Sequence, residues 1–278
     1  MSETRHRLLA NGRRMPRLLY GTAWKKAQTA RWVEAALRHG FDGIDTACQP
    51  KHYDEAGVGA GIAAAALPRE TLYLQSKFTP LSGQDPARIP YDATADIAQQ
   101  IRQSFAVSQR NLGTTYLDAL LLHSPLRDRS AMRHAWATLE SLVDEGGVGL
   151  IGISNCYDPD ELQRLWRDAR IKPSIVQNRF YADTGHDREI RAFCRANGVV
   201  YQSFWTLSAN PQLLRSQAVL DLAAAHARTP AQILFRYLIQ HDVVPLTGTT
   251  SLTHLRESQA IFDFALSEAD CARVTALL

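Results

Sequence analysis

Eight short apolar runs recur along this chain, each followed by a helix-like segment. That alternation constrains the fold more than any other feature. The runs are LLYGTA (18–23), FDGIDTA (41–47), TLYLQSKF (71–78), LDALLLH (117–123), LIGIS (150–154), SIVQNRF (174–180), VVYQSF (199–204) and VVPLTG (243–248). Most are continuously apolar, as expected of strands covered on both faces in a parallel sheet. Helical patterns fill the gaps at 27–39, 54–65, 93–112, 131–145, 158–169, 187–197, 219–240 and 251–263, with a last one at 267–277. Asp158-Pro159 precedes one helix, Thr229-Pro230 restarts another, and Ser267 stands just before Glu268. Gly40, Gly113, Gly146 and Gly198 follow helix ends. Strand–helix alternation requires a parallel sheet with right-handed crossovers. Eight repeats in 278 residues fit a closed α/β barrel, the (β/α)8 TIM barrel, better than a doubly wound sheet. No linker interrupts the series, so residues 1–278 are read as one domain. Ahead of the first run, Asn11-Gly12 separates two short apolar stretches, a two-residue hairpin signal.

Charge and cysteine usage exclude several classes of function. The net charge is +3, and the basic residues are interleaved with acids, so there is no nucleic-acid footprint. No apolar run is long enough to span a bilayer. The first fourteen residues carry neither an apolar signal core nor a small-residue cleavage site. Cys48, Cys156, Cys194 and Cys271 are isolated, which argues against a zinc site or a disulfide framework and for a reducing, cytoplasmic setting.

Barrel enzymes place their chemistry at the C-terminal ends of the strands. Strand two ends in Asp45, strand three in Lys77 and strand four in His123. Strand five ends in Ser154 and Asn155, strand six offers Gln177 and Asn178, and strand seven gives Phe204 and Trp205. The stretch GIDTACQPKHYDEAGVG (43–59) adds Lys51, His52 and Tyr53 in the loop after strand two. Singly, each has a plain structural reading: a solvated lysine, a helix-capping aspartate, a hydrogen-bonded histidine. Together at one rim they form a chemical set. A tyrosine phenol, of ordinary pKa about 10, becomes a better proton donor beside an ammonium, and a carboxylate holds that ammonium in place. A neutral histidine can donate to a carbonyl oxygen and orient it. Such a site protonates an oxygen while something else delivers hydride. Only one histidine lies at a strand end, so a metal-dependent barrel hydrolase fits less well and no metal is expected.

The dinucleotide fingerprint GxGxxG occurs once, as GVGLIG (147–152), but it leaves a helix and enters a strand, the reverse of what a phosphate loop requires. GVGAG (57–61) lies inside a helical pattern and reads as close packing. PLTGTTSLTHLRES (245–258) is the better phosphate candidate. There Thr247, Gly248, Thr249 and Thr250 lead into a helix N-terminus, although a plain Ser/Thr cap reads equally well.

Taken together, GTAW (21–24), GIDTA (43–47), SKF (76–78), LDALLLHSP (117–125), IGISN (151–155), VQNRF (176–180), TPAQILFRYLIQ (229–240) and the last loop resemble the aldo-keto reductase family, in the family's order. The resemblance implies a barrel plugged at its bottom by the N-terminal hairpin, with NADPH extended across the rim. It implies Asp45, Tyr53, Lys77 and His123 as the catalytic four. Tyr53 would be the general acid, Lys77 its pKa modifier and Asp45 the lysine's partner, with His123 orienting a small-molecule carbonyl substrate. Thr22 in GTAW would contact the cofactor. Ser154, Asn155 and Gln177 would fix the carboxamide, and Phe204 would stack on the nicotinamide where the family usually has tyrosine. Trp24 and Trp205 would shape the substrate pocket, with the segments 79–91 and 207–216. A monomer is the family's default.

Two departures stand out. The family's tyrosine follows its aspartate by five residues, where this chain has Pro50; counting back from Glu55 puts His52 in register instead. Tyr53 is the choice because a phenol fits the donor role, with His52 as the alternative. Lys51 is either a surface charge or a contact for an anionic substrate. The family's basic cofactor motif is replaced by PLTG, leaving His254 and Arg256 as the cations for a 2′-phosphate, so NADH is the alternative to NADPH. A cofactor-binding regulatory subunit on the same fold is the alternative to an enzyme.

Overall fold

The structure, a computed structural model, describes residues 5–9 and 12–278. Eight parallel strands close into a barrel: β3 (Leu19–Gly21), β4 (Gly43–Asp45), β5 (Tyr73–Phe78), β6 (Leu117–Leu122), β7 (Val148–Ser154), β8 (Ile175–Arg179), β9 (Val200–Phe204) and β10 (Val243–Thr247). β10 closes the ring by pairing with both β9 and β3. Ahead of them β1 (His6–Leu8) and β2 (Arg14–Pro16) pair antiparallel as the expected hairpin. Asn11 of the expected turn lies outside the described residues.

The strands carry two apolar faces because both are covered. Outside, one large core packs the strands against the helices. Inside, Leu19, Tyr73, Leu121, Leu150, Val200 and Val244 fill the barrel, and Met15 of the hairpin enters it fully buried. Each fully buried aliphatic side chain contributes roughly 1.5–3 kcal/mol of transfer free energy. The hairpin is therefore a plug for an interior that would otherwise meet water.

The outer ring comprises α1 (Thr29–Arg38), α2 (Glu55–Ala65), α3 (Ile97–Leu112), α4 (Arg129–Asp144), α5 (Pro159–Asp168), α6 (Arg188–Ala196), α7 (Pro211–Leu214), α8 (Gln217–Ala225), α9 (Pro230–Gln240), α10 (Leu252–Gln259) and α11 (Glu268–Thr275). Asp158 caps α5, Thr229 forms a reciprocal capping box with Gln232, and Ser267 forms another with Asp270. The 219–240 segment is two helices, since Pro230 opens α9 and cannot continue α8. α3 starts at Ile97 rather than near residue 93: the Asp92 side chain accepts from the Thr94 amide and holds a turn, and Asp96 then caps the helix. The helix expected over 251–263 ends at Gln259 and finishes as a 3-10 turn. The glycines of GVGAG are packing residues: a Cβ at Gly59 would sit 2.1 Å from the Asn111 carbonyl oxygen.

Candidate active site

Alternate residues of a strand share a face, so the inward positions of neighbouring strands meet at the barrel mouth. Asp45 ends β4 and Lys77 lies one residue from the end of β5; both are almost wholly buried. Lys77 Nζ donates to Asp45 Oδ1 at 2.8 Å and Oδ2 at 2.7 Å, and to the Thr46 carbonyl at 2.9 Å. A buried ion pair survives desolvation only when its remaining valences are satisfied. Here the Nε2 amides of Gln75 and Gln177 donate to Asp45 Oδ1 at 2.6 and 2.9 Å, and both also donate to Gln202 Oε1. Burial lowers the proton affinity of Lys77, while Asp45 and then Glu55 oppose that shift. Glu55 lies buried at the start of α2. Its Oε1 accepts from Ser76 Oγ at 2.6 Å and Ser108 Oγ at 2.9 Å.

The lengthened loop resolves into a tight turn. The amides of both His52 and Tyr53 donate to the Gln49 carbonyl, at 3.1 and 3.0 Å, which takes up the extra residues. Tyr53 then lies beside the pair, with Lys77 Nζ 5.5 Å from its ring centroid and the His123 ring edge-on at 6.0 Å. His52 is turned to Trp24: the rings stack at 3.8 Å, and the Trp24 amide donates to the His52 carbonyl at 2.8 Å. Lys51 is exposed. The three contacts of Lys77 Nζ go to Asp45 and Thr46, so the ammonium does not hydrogen-bond the phenol. Burial, and then the charge of Asp45, raise the Tyr53 pKa. The phenol keeps its proton, the form a donor needs.

His123 follows β6, and its amide donates to the Phe78 carbonyl at 2.9 Å. Burial, then Lys77 and His52, push the imidazole down to about 3, so it is neutral near pH 7. Its Nδ1 lies 2.6 Å from Thr79 Oγ1. Asn155, in the left-handed region at φ 54°, donates from Nδ2 to the His123 carbonyl at 2.9 Å. Ser154 Oγ donates to the Gln177 carbonyl at 2.8 Å. Gln177 Nε2 points down to Asp45, while its Oε1 takes no bond among the described residues. Thr22 is fully buried, and its hydroxyl donates to the Asp45 carbonyl at 3.0 Å. Phe204 ends β9, half-buried. Trp24 and Trp205 are exposed and both have positive φ, a costly conformation for an aromatic residue. The Arg179 guanidinium stacks on Trp205 at 4.1 Å.

At the end of β10, Thr247 is buried while Gly248 and Thr250 are exposed. Lys25 Nζ donates to the Gly248 carbonyl at 2.9 Å. Ser251 caps α10, accepting from the His254 amide, and Thr249 Oγ1 lies 3.4 Å from His254 Nδ1. Arg256 is exposed. A cleft of about 400 Å³ opens here, lined by residues that include Leu207, Thr229, Gln232, Thr249, His254 and Glu257.

The aldo/keto reductase family model matches residues 17–278. The chain belongs to the aldo/keto reductase family. It is 32% identical over 245 residues to "Glyoxal reductase" of Bacillus subtilis (strain 168), covering 88% of this chain and 82% of that protein. It is 27% identical over 272 residues to "Methylglyoxal reductase DkgA" of Yersinia pestis, covering 97% and 91%. Among solved structures, an aldo/keto reductase from Brucella melitensis superposes with a TM-score of 0.83 at 26% identity, covering 98% of this chain and 99% of that one. Aldo/keto reductases use nicotinamide cofactors, and the rim fits one. Gln177 Oε1 takes no bond among the described residues, and Phe204 ends β9 on the strand paired with β8. Lys25 brings a cation to the Gly248 backbone, and the cleft beyond it is of ligand size.

Sequence reasoning passed over Lys25, Thr79 and the Gln75–Gln202 pair. Three of these carried a period-two signal: Gln75 precedes Lys77 by two residues on one face of β5, Thr79 follows it by two just past the strand's end, and Gln202 precedes Phe204 likewise. Lys25 follows Trp24 directly in the GTAW region.

Proposed function

We propose that this chain reduces the carbonyl of an aldehyde or ketone to an alcohol, with Tyr53 as the proton donor. The observation that carries the reading is the convergence of Tyr53, Lys77, Asp45 and His123 at one point of the barrel mouth. When bound, the reduced nicotinamide supplies the hydride. Ser154, Asn155 and Gln177 would hold its carboxamide, Phe204 its ring, and Thr22, Lys25 and Thr247 to Thr250 the diphosphate side. His254 and Arg256 would take a 2′-phosphate, which favours NADPH over NADH. The chain's own part in the reaction is proton management and orientation. A neutral His123 donates a hydrogen bond to the carbonyl oxygen as negative charge gathers there. Tyr53, neutral and half-buried, passes its proton to that oxygen. Lys77, locked by Asp45, keeps a positive charge nearby that offsets the phenolate left behind. Trp24 and Trp205 would border the substrate, giving an open, partly apolar approach.

The reading takes the protein as a monomer working in the cytoplasm; its four cysteines are all free thiols. Titrating the protein with NADPH and with NADH, by quenching of tryptophan fluorescence, tests the cofactor site, since Trp24 and Trp205 lie at the rim. Tighter binding of NADPH is the expected result, and binding of neither overturns the reading. Glyoxal, methylglyoxal and an aromatic aldehyde make a first substrate panel. Cofactor binding without turnover of any carbonyl would point to a regulatory subunit.

A further inference from the structure

We infer that Thr79 is a positioning residue: its hydroxyl donates to His123 Nδ1 and so keeps the ring proton on Nε2. The functional half of this inference rests on the carbonyl-reduction reading.

The strand register brings the two side chains together. Phe78 pairs with Leu122, and the His123 amide donates to the Phe78 carbonyl, so Thr79 and His123 continue the ladder side by side. Thr79 lies two residues beyond Lys77 and so shares its inward face. The resulting Oγ1–Nδ1 distance is 2.6 Å.

Proton accounting then picks the tautomer. A neutral imidazole has one N–H donor and one acceptor nitrogen. Were the proton on Nδ1, Thr79 Oγ1 would accept it, and the threonine hydroxyl would need another acceptor. Thr79 is 3% exposed, and its hydroxyl has no other partner among the described residues. A buried donor would be left unsatisfied, a costly state. Nε2 would then be a bare lone pair facing a carbonyl oxygen, acceptor against acceptor. With the proton on Nε2, the threonine donates to Nδ1, both the hydroxyl and Nδ1 are satisfied, and Nε2–H is free for a carbonyl.

Thr79 is itself held in place. Its carbonyl accepts from the Tyr91 hydroxyl at 2.8 Å and from Gln84 Nε2 at 3.1 Å. Gly83 packs against its methyl group: a Cβ there would lie 2.8 Å from Thr79 Cγ2. The segment 79–91, expected only to border the pocket, thus fixes the histidine's orienting partner.

The test uses the full chain labelled with nitrogen-15 in histidine. Long-range nitrogen–proton spectra at neutral pH show which ring nitrogen is protonated, and a His123→Gln variant identifies the His123 signals by their loss. The wild type and Thr79→Ser are expected to carry the proton on Nε2, and Thr79→Val to shift it wholly or partly to Nδ1. In turnover, Thr79→Val is expected to lose roughly 10- to 100-fold in kcat, with unchanged cofactor affinity. Thr79→Ser should recover most of that loss. The inference is overturned if wild-type His123 is protonated on Nδ1, if Thr79→Val leaves the tautomer unchanged, or if Thr79→Ser is no better than Thr79→Val. Should Thr79→Val not fold, the wild-type spectrum alone still decides. Should the wild type turn over no carbonyl, the reductase reading fails while the spectrum continues to judge the tautomer.

Discussion

At the scale of single residues, the site is organised by where protons are held. Tyr53 has the phenol and the place beside Lys77, whereas His52 is engaged with Trp24. His52→Ala is therefore expected to disturb substrate affinity more than kcat, measured by steady-state kinetics with one aldehyde. Lys77 and Asp45 act as a pair, and removing one partner strands the other in a dry interior. Lys77→Met should cost about 3–5 kcal/mol of stability in urea unfolding. The histidine has a signature in pH. Its pKa falls from the ordinary 6.5 to about 3 in the fold, so between those values the unfolded chain binds the extra proton. The contribution of neutral His123 is complete above about pH 6.5 and is lost as the pH falls toward 3. His123→Gln should flatten the decline in urea midpoint across that window.

At the scale of elements, the sequence was informative wherever one strand or helix determines its own pattern. Short apolar runs, most of them continuous, marked all eight barrel strands, and Asp158, Thr229 and Ser267 marked true helix starts. The path of the second loop was not legible, because distant partners set it. Gln49 Nε2 donates to the Gly83 carbonyl and Gln84 Nε2 to the Cys48 carbonyl, so the loops after β4 and β5 brace each other. Neither glutamine has a local signature. Glycine roles separate by environment in the same way. Gly113 ends α3 at φ 65° with nothing within 4 Å, so Gly113→Ala should cost only the conformational strain, about 1–2 kcal/mol. Gly59→Ala drives a Cβ into the backbone of Asn111 and should cost more, with thermal melting showing the larger drop.

At the scale of the whole molecule, bottom and top of the barrel do separate work. The bottom is stability: Met15 of the hairpin fills the interior, and Met15→Ala should cost about 2–5 kcal/mol in urea unfolding. The top gathers the strand-end polar residues on which the proposed chemistry rests, Asp45, Lys77 and His123, with Tyr53 beside them. The Lys25–Gly248 contact was not legible, since it joins residues 223 positions apart in sequence. His254→Ala combined with Arg256→Ala should weaken NADPH by roughly tenfold and spare NADH, as expected of a 2′-phosphate contact worth about 1.4 kcal/mol. The most direct measurement of the whole reading is aldehyde-dependent oxidation of NADPH, followed by absorbance, for wild type, Tyr53→Phe and His52→Ala side by side. Tyr53→Phe should lose about 10²- to 10⁴-fold in kcat with cofactor binding intact, and His52→Ala should remain active. Full activity in Tyr53→Phe, or loss confined to His52→Ala, would contradict the assignment of the proton donor.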